Sequence, residues 1–187
     1  MPLLYARGNH ETRGPFAREV RTYVPMEEGR LYYARDIGPV HAVVVDTGED
    51  KPDNTNVYSQ LSAFAPYRKE ELAWLEAHTR ESRRMAEAPF RILMLHQPRM
   101  GYVGNETDKW TDWANRSGFD LAIGGHHHRF SVIEPNEGRN HFPILVLGQD
   151  QLAKVEVTSS EIKVSVQAKD GAVVHSLVVR RKAAVAR

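Results

Sequence analysis

Short apolar runs punctuated by glycine, proline and acid or amide turns alternate along the chain with one long amphipathic stretch. Leu3 to Ala6, ended by Gly8, reads as a buried strand that delivers a turn. Gly14 and Pro15 interrupt the helical propensity of Glu11 to Tyr23 and leave a short helix from about Pro15. Leu31 to Arg35 and Val40 to Asp46 flank Gly38-Pro39 and predict a hairpin or two adjacent strands, the second buried through Val43, Val44 and Val45. Gly48 to Ser59 carries Asp, Asn, Lys and Pro with almost no apolar residue, the composition of a surface loop. From Tyr67 to about Ala88, Leu72, Leu75 and Met85 recur among charged residues and predict an amphipathic helix, ended by Pro89. Phe90 to Leu95 and Phe119 to Ile123 predict strands that stop at His96 and at Gly124-Gly125; between them lie a polar loop with Gly101 and Gly104 and a short helix through Trp110 and Trp113. After His128 the pattern is strand and turn: Phe130 to Glu134, Phe142 to Leu147, Ala153 to Thr158, Glu161 to Gln167 and Val173 to Val179, which predicts an antiparallel C-terminal third. Residues 1–179 read as one α/β domain and residues 180–187 as a basic flexible tail.

Composition narrows the chemistry. The 187 residues hold 25 Lys and Arg against 24 Asp and Glu, a formal net charge of +1. That balance sets up no global field to attract nucleic acid or anionic lipid, so neither is favoured as a partner and any anionic ligand must be met locally. No apolar run approaches the roughly 20 residues of a membrane helix. The absence of Cys removes thiolate metal sites and Cys nucleophiles, leaving His, Asn, Asp and Glu as candidate metal ligands. No signal-peptide pattern opens the sequence, and oligomeric state is not encoded in any pattern of residues here.

Three times an apolar strand runs into residues that can bind metal: Leu3 to Ala6 into Asn9-His10, Phe90 to Leu95 into His96, and Phe119 to Ile123 into His126 and His128. In α/β sheets ligands bind at the carboxyl ends of strands, because the strands fix the positions of the loops that follow. Neighbouring strands would therefore bring the three sets to one edge. His41, His78, His141 and His175, which fit no motif, read as structural or surface residues.

Gly8-Asn9-His10-Glu11, His96 after its strand, and Gly125-His126-His127-His128 resemble, in order, the last three motifs of the calcineurin-like metallophosphoesterases. The Glu of the first motif and the stretch Asp46 to Asp53 resemble the bacterial purple-acid-phosphatase-like branch. The resemblance implies a four-layer α/β/β/α metallophosphoesterase sandwich, two divalent or trivalent metal ions (Zn, Mn or Fe), a phosphate-ester substrate and an extracytoplasmic location. It further implies that Asn9, His96 and His126 bind one metal, His128 the other, and that His10 protonates or stabilises the leaving group. Arg13 and Arg129, beside these motifs, are candidates to contact phosphate. The family's Asp-containing first motif and Gly-Asp second motif are not found, since Gly8 stands almost at the start. The chain thus resembles the C-terminal part of the family fold without its N-terminal strands. The expectation is a metal-dependent phosphoesterase, inactive in this form and holding at most one ion. The alternative is a non-catalytic metal- or partner-binding module with an incomplete site.

Overall fold

The structure is a computed structural model that describes residues 3–24, 26–98 and 106–181. Strands β1 (Tyr33–Ile37) and β2 (Val40–Val44) form the antiparallel hairpin expected around Gly38-Pro39, with Gly38 at a φ of 55° that favours glycine. β2 runs parallel to β3 (Phe90–Met94), and β3 parallel to β4 (Leu121–Gly124). Two further strands, β5 (Ser131–Ile133) and β6 (Ile144–Val146), complete a six-stranded sheet of order β1-β2-β3-β4-β6-β5. Strands β7 (Gln151–Val157), β8 (Glu161–Ala168) and β9 (Val173–Arg180) make a separate three-stranded antiparallel sheet.

The central strands are buried on both faces, and their side chains divide by the two-residue period. Val43, Val45, Leu93 and Leu95 face helix α2 (Phe64–Glu81), through Leu72 and Leu75, and helix α4 (Glu106–Ser117), through Trp110 and Trp113. Val40, Ala42, Phe90 and Ile92 point the other way, onto Ile162, Val164 and Val166 of β8. The layers are therefore helices, large sheet, small sheet: the expected α/β sandwich, with three of its layers built by the described residues. The outer face of the small sheet carries Lys154, Glu156 and Lys163 exposed to solvent.

Four expectations change. Leu3 to Ala6 is not a strand: Leu3 is 80% exposed, and the segment is held by a side chain instead of a ladder. The Tyr5 amide donates to the Tyr33 hydroxyl at 2.6 Å, and that hydroxyl donates back to the Tyr5 carbonyl at 3.1 Å. The long helix is two, because at Ser82 the backbone turns extended and the Ser82 hydroxyl accepts from the Met85 amide, starting α3 (Arg83–Glu87). The strands after His128 are not all in one antiparallel unit, since β6 pairs parallel with β4 and only β5 opposes it. Finally, the polar segment after β2 is not wholly a surface loop: Asp46, Thr47 and Glu49 are buried. Helix α1 (Val20–Tyr23), preceded by a 3-10 turn over Ala17–Glu19, is the short helix expected after Pro15. The loop with Gly101 and Gly104 and the tail beyond residue 181 lie outside the described residues.

Candidate functional site

The parallel strands β2, β3 and β4 end at one edge, and the turns that follow are tied to each other by backbone. Val45 donates to the Met94 carbonyl, Leu95 to Ile123, and Gly125 to His96, at 2.9, 3.1 and 2.9 Å. Gly124 lies so close to the end of β3 that a Cβ there would sit 3.1 Å from the Leu95 carbonyl oxygen and 3.3 Å from that of His96. Beyond it, His126 and His128 adopt left-handed backbone, with φ of 71° and 57°. Non-glycine residues there store about 1 kcal/mol or more of strain each, and such strain clusters at functional sites.

This geometry brings three of the expected residues together. Asn9 Oδ1 lies 3.0 Å from His96 Nε2 and 3.3 Å from His126 Nδ1, and the two imidazole nitrogens are 3.2 Å apart. Asn9 is buried, and the two rings meet edge to face with centroids 5.1 Å apart. One amide oxygen and two imidazole nitrogens at these separations are spaced like donors within a single coordination sphere whose bonds are about 2.0 to 2.2 Å long. The donor chemistry fits an ion of intermediate softness such as Zn, Mn or Fe. Burial lowers the pKa of both His96 and His126, with the neighbouring imidazoles adding to the effect, so each is held neutral with a lone pair to offer. Among the described residues no group of three or more His, Asp and Glu side chains converges in this way; the Asn9 amide supplies the third donor.

The remaining expected residues surround the triangle without joining it. His10 is exposed, at the start of a 3-10 turn over His10–Thr12, close enough to depress the pKa of His96 and His126 by charge. His128 is exposed, with Nδ1 3.5 Å from the Gln149 amide nitrogen. Arg129 is exposed on the same turn. Arg13 is already engaged: its Nε and Nη2 each donate to Glu49 at 2.7 Å, and Nη2 lies 3.6 Å from Asp50 Oδ1. Glu11 reaches over Gly8, where an added Cβ would stand 2.5 Å from its Oε2 and 3.3 Å from the His96 ring.

Behind this edge lies a polar network that the sequence pattern alone did not assign. Arg7 pairs with the buried Asp46 at 2.7 Å, and Asp46 also accepts from the Tyr67 hydroxyl at 2.8 Å and the Gly48 amide at 3.1 Å. Glu71, fully buried, accepts the Asp46 amide at 2.8 Å; burial and the nearby Asp46 charge push its pKa well up, so it is held protonated. Glu49 accepts from Thr12 at 2.5 Å and Tyr58 at 2.9 Å besides Arg13. Burial opposes ionisation, but these three donors outweigh it and bring its pKa down to about 2. The neighbouring Asp50 carboxylate stands 4.0 Å from His126 Nε2, which places a negative charge behind one corner of the triangle. The sequence signals for these residues were the position of Asp46 to Asp50 directly after a fully buried strand and the resemblance carried by Asp46 to Asp53.

Arg7, Thr12, Arg13 and Glu49 also form one wall of a cavity of about 780 Å³. Thr12 donates to the Asn9 backbone carbonyl at 2.6 Å, and Arg13 lies 3.6 Å from Asp50, which stands 4.0 Å from His126, so these lining residues neighbour the donor triangle without touching its donor atoms.

A family model described as calcineurin-like phosphoesterase matches residues 1–130. Among solved structures, the chain is similar to a conserved uncharacterized protein, a predicted phosphoesterase, from Streptococcus pneumoniae TIGR4. The identity is 15%, the match covers 57% of this chain and 88% of that chain, and the TM-score is 0.31. No curated protein matches the sequence.

Proposed function

Because the chain belongs to the calcineurin-like phosphoesterase family, we propose that its chemistry is metal-dependent hydrolysis of phosphate esters at the edge where β2, β3 and β4 end. The observation that carries this reading is the 3.0 to 3.3 Å triangle of Asn9 Oδ1, His96 Nε2 and His126 Nδ1. These three residues would hold one ion, which when bound neutralises phosphate charge and lowers the pKa of bound water. Asn9 is fixed by burial and His96 by the backbone bond from Gly125 to its carbonyl, so their lone pairs are already oriented. His10 stands at the solvent side and delivers a proton from its imidazole to the departing oxygen. Arg129, exposed beside His128, meets phosphate oxygens. Arg13 serves instead to hold Glu49 and Asp50 in place.

The resemblance to the purple-acid-phosphatase-like branch belongs to the same proposal. So does a single-ion site, since His128 stands apart from the triangle. That same feature favours a second reading, a metal-binding module without turnover. Metal content by mass spectrometry and turnover of p-nitrophenyl phosphate with Mn or Zn decide between them. The proposal expects one ion per chain, bound less tightly by about tenfold to a hundredfold in Asn9→Ala. It also expects turnover that falls by roughly a hundredfold or more in His10→Ala. One ion per chain with no turnover would establish the module, and no metal binding would overturn both.

A further inference from the structure

The cavity beside the donor triangle has a composition that the hydrolytic residues do not explain. Four arginines line it, Arg7, Arg13, Arg18 and Arg21, against one lining carboxylate, Glu49. Arg7 is neutralised by Asp46 and Arg13 by Glu49. Arg18 and Arg21 are exposed and, among the described residues, have no ion-pair partner, so the cavity keeps two uncompensated positive charges. The rest of its lining includes aromatic and aliphatic side chains: Tyr58 and Phe64, and Val57 and Leu61, which are 67% and 85% exposed. A ligand that covered these exposed apolar side chains would gain from removing their surface from water. A volume of about 780 Å³ is in the range of pockets for small organic ligands.

Resting on the phosphoesterase reading, we infer that this cavity receives the leaving group of the substrate, and that the substrate is an aromatic phosphate ester whose leaving group carries a second anionic group. The ring would lie against Tyr58, Phe64 and Leu61, and the second anion would be met by Arg18 and Arg21 through charge-assisted hydrogen bonds. The cavity and the triangle share one turn, through the Thr12 hydroxyl on the Asn9 carbonyl and Arg13 beside Asp50, and an ester with its leaving group in the cavity would reach across that turn to the triangle. Hydrolysis adds water across the P–O bond, releasing inorganic phosphate and the hydroxyl form of the leaving group, with no other reactant.

The test separates the pocket from the hydrolysis. Calorimetric titration with 6-hydroxy-2-naphthoate, a leaving group without phosphate, reads the pocket alone, and 2-naphthol is the control lacking the second anion. Wild type should bind the naphthoate about tenfold more tightly than the naphthol. The Arg18→Ala, Arg21→Ala double variant should remove that preference while leaving naphthol binding unchanged. Leu61→Asp, at a position exposed enough to leave folding intact, should weaken both. With the phosphate monoester of the naphthoate, the double variant should raise KM by a similar factor and leave kcat unchanged. Arginine-dependent binding of the naphthoate without turnover of its ester would sink the hydrolytic reading and keep the pocket. Turnover with KM indifferent to the double variant, or equal affinity for naphthoate and naphthol, would overturn the pocket and leave hydrolysis standing.

Discussion

Glu49 shows how a single residue can be set by its partners more than by its position. It is a carboxylate almost without solvent contact, yet three donors hold it ionised down to about pH 2. Its folded pKa lies below the ordinary glutamate value, so its contribution to stability is complete above about pH 4.5 and is lost as pH falls from there through about 2. Glu49→Gln should therefore flatten the acid limb: wild type minus variant stability, from urea unfolding, shrinks as pH drops from 5 toward 2. At neutral pH the variant should be less stable by about 1 to 3 kcal/mol, because Arg13 and Tyr58 lose a charged acceptor. A difference that stays constant with pH would contradict this assignment. Gly48, next to it, combines a φ of 63° with a Cβ direction 2.6 Å from the Phe64 ring, so both backbone and packing require glycine there. Gly48→Ala should cost about 2 kcal/mol or more, read as a fall in urea midpoint.

At the scale of elements, the site depends on three strand ends held in register by their own backbone. The ends of β3 and β4 lie side by side at Gly124, where the nearest atoms to a Cβ are backbone carbonyls of Leu95 and His96 and cannot swing aside as a side chain would. Gly124→Ala should consequently shift the turn that carries His96 and displace it from Asn9. The expected result is a modest loss of stability, about 1 to 2 kcal/mol, with a larger loss of metal affinity. Metal titration followed by calorimetry checks it, and unchanged affinity would mean that the turn adapts. Gly8→Ala offers the contrast, since its closest contact is the flexible end of Glu11 and the fold should tolerate it. The junction of α2 and α3 follows the same logic of local chemistry: Ser82 stops one helix and caps the next.

For the whole molecule, the two sheets share an interior in which Phe90, Ile92 and Leu121 meet Ile162, Val164 and Val166. An ion bound to the triangle would join the N-terminal turn to the ends of β3 and β4 and would stabilise only the folded form. At a hundredfold excess over Kd this linkage amounts to about 2.7 kcal/mol, or a rise in Tm of roughly 5 to 10 °C. Zn or Mn should produce that rise in wild type and not in His96→Ala. An equal rise in both would place the metal elsewhere.

Read without its structure, the chain determined its strands of high apolar density, the hairpin at Gly38, the helical α2 region and the three residues that meet at one edge. These rest on short-range pattern, a strand's period, a glycine at a turn, a histidine directly after an apolar run, except for Asn9, whose preceding apolar run is not a strand and which only the motif resemblance pointed to. Tertiary structure decided what depends on partners distant in sequence. Leu3 to Ala6 is apolar enough for a strand, but a strand needs a neighbour, and here Tyr33 takes up its backbone groups instead. β6 joined the large sheet because β4 offered it a parallel edge, which no local turn signal announces. Asp46 and Glu49 look like loop residues until Arg7, Tyr67 and Arg13 arrive from elsewhere in the chain to make their burial possible. Charge in the interior is decided by pairing, and pairing is a property of the folded chain.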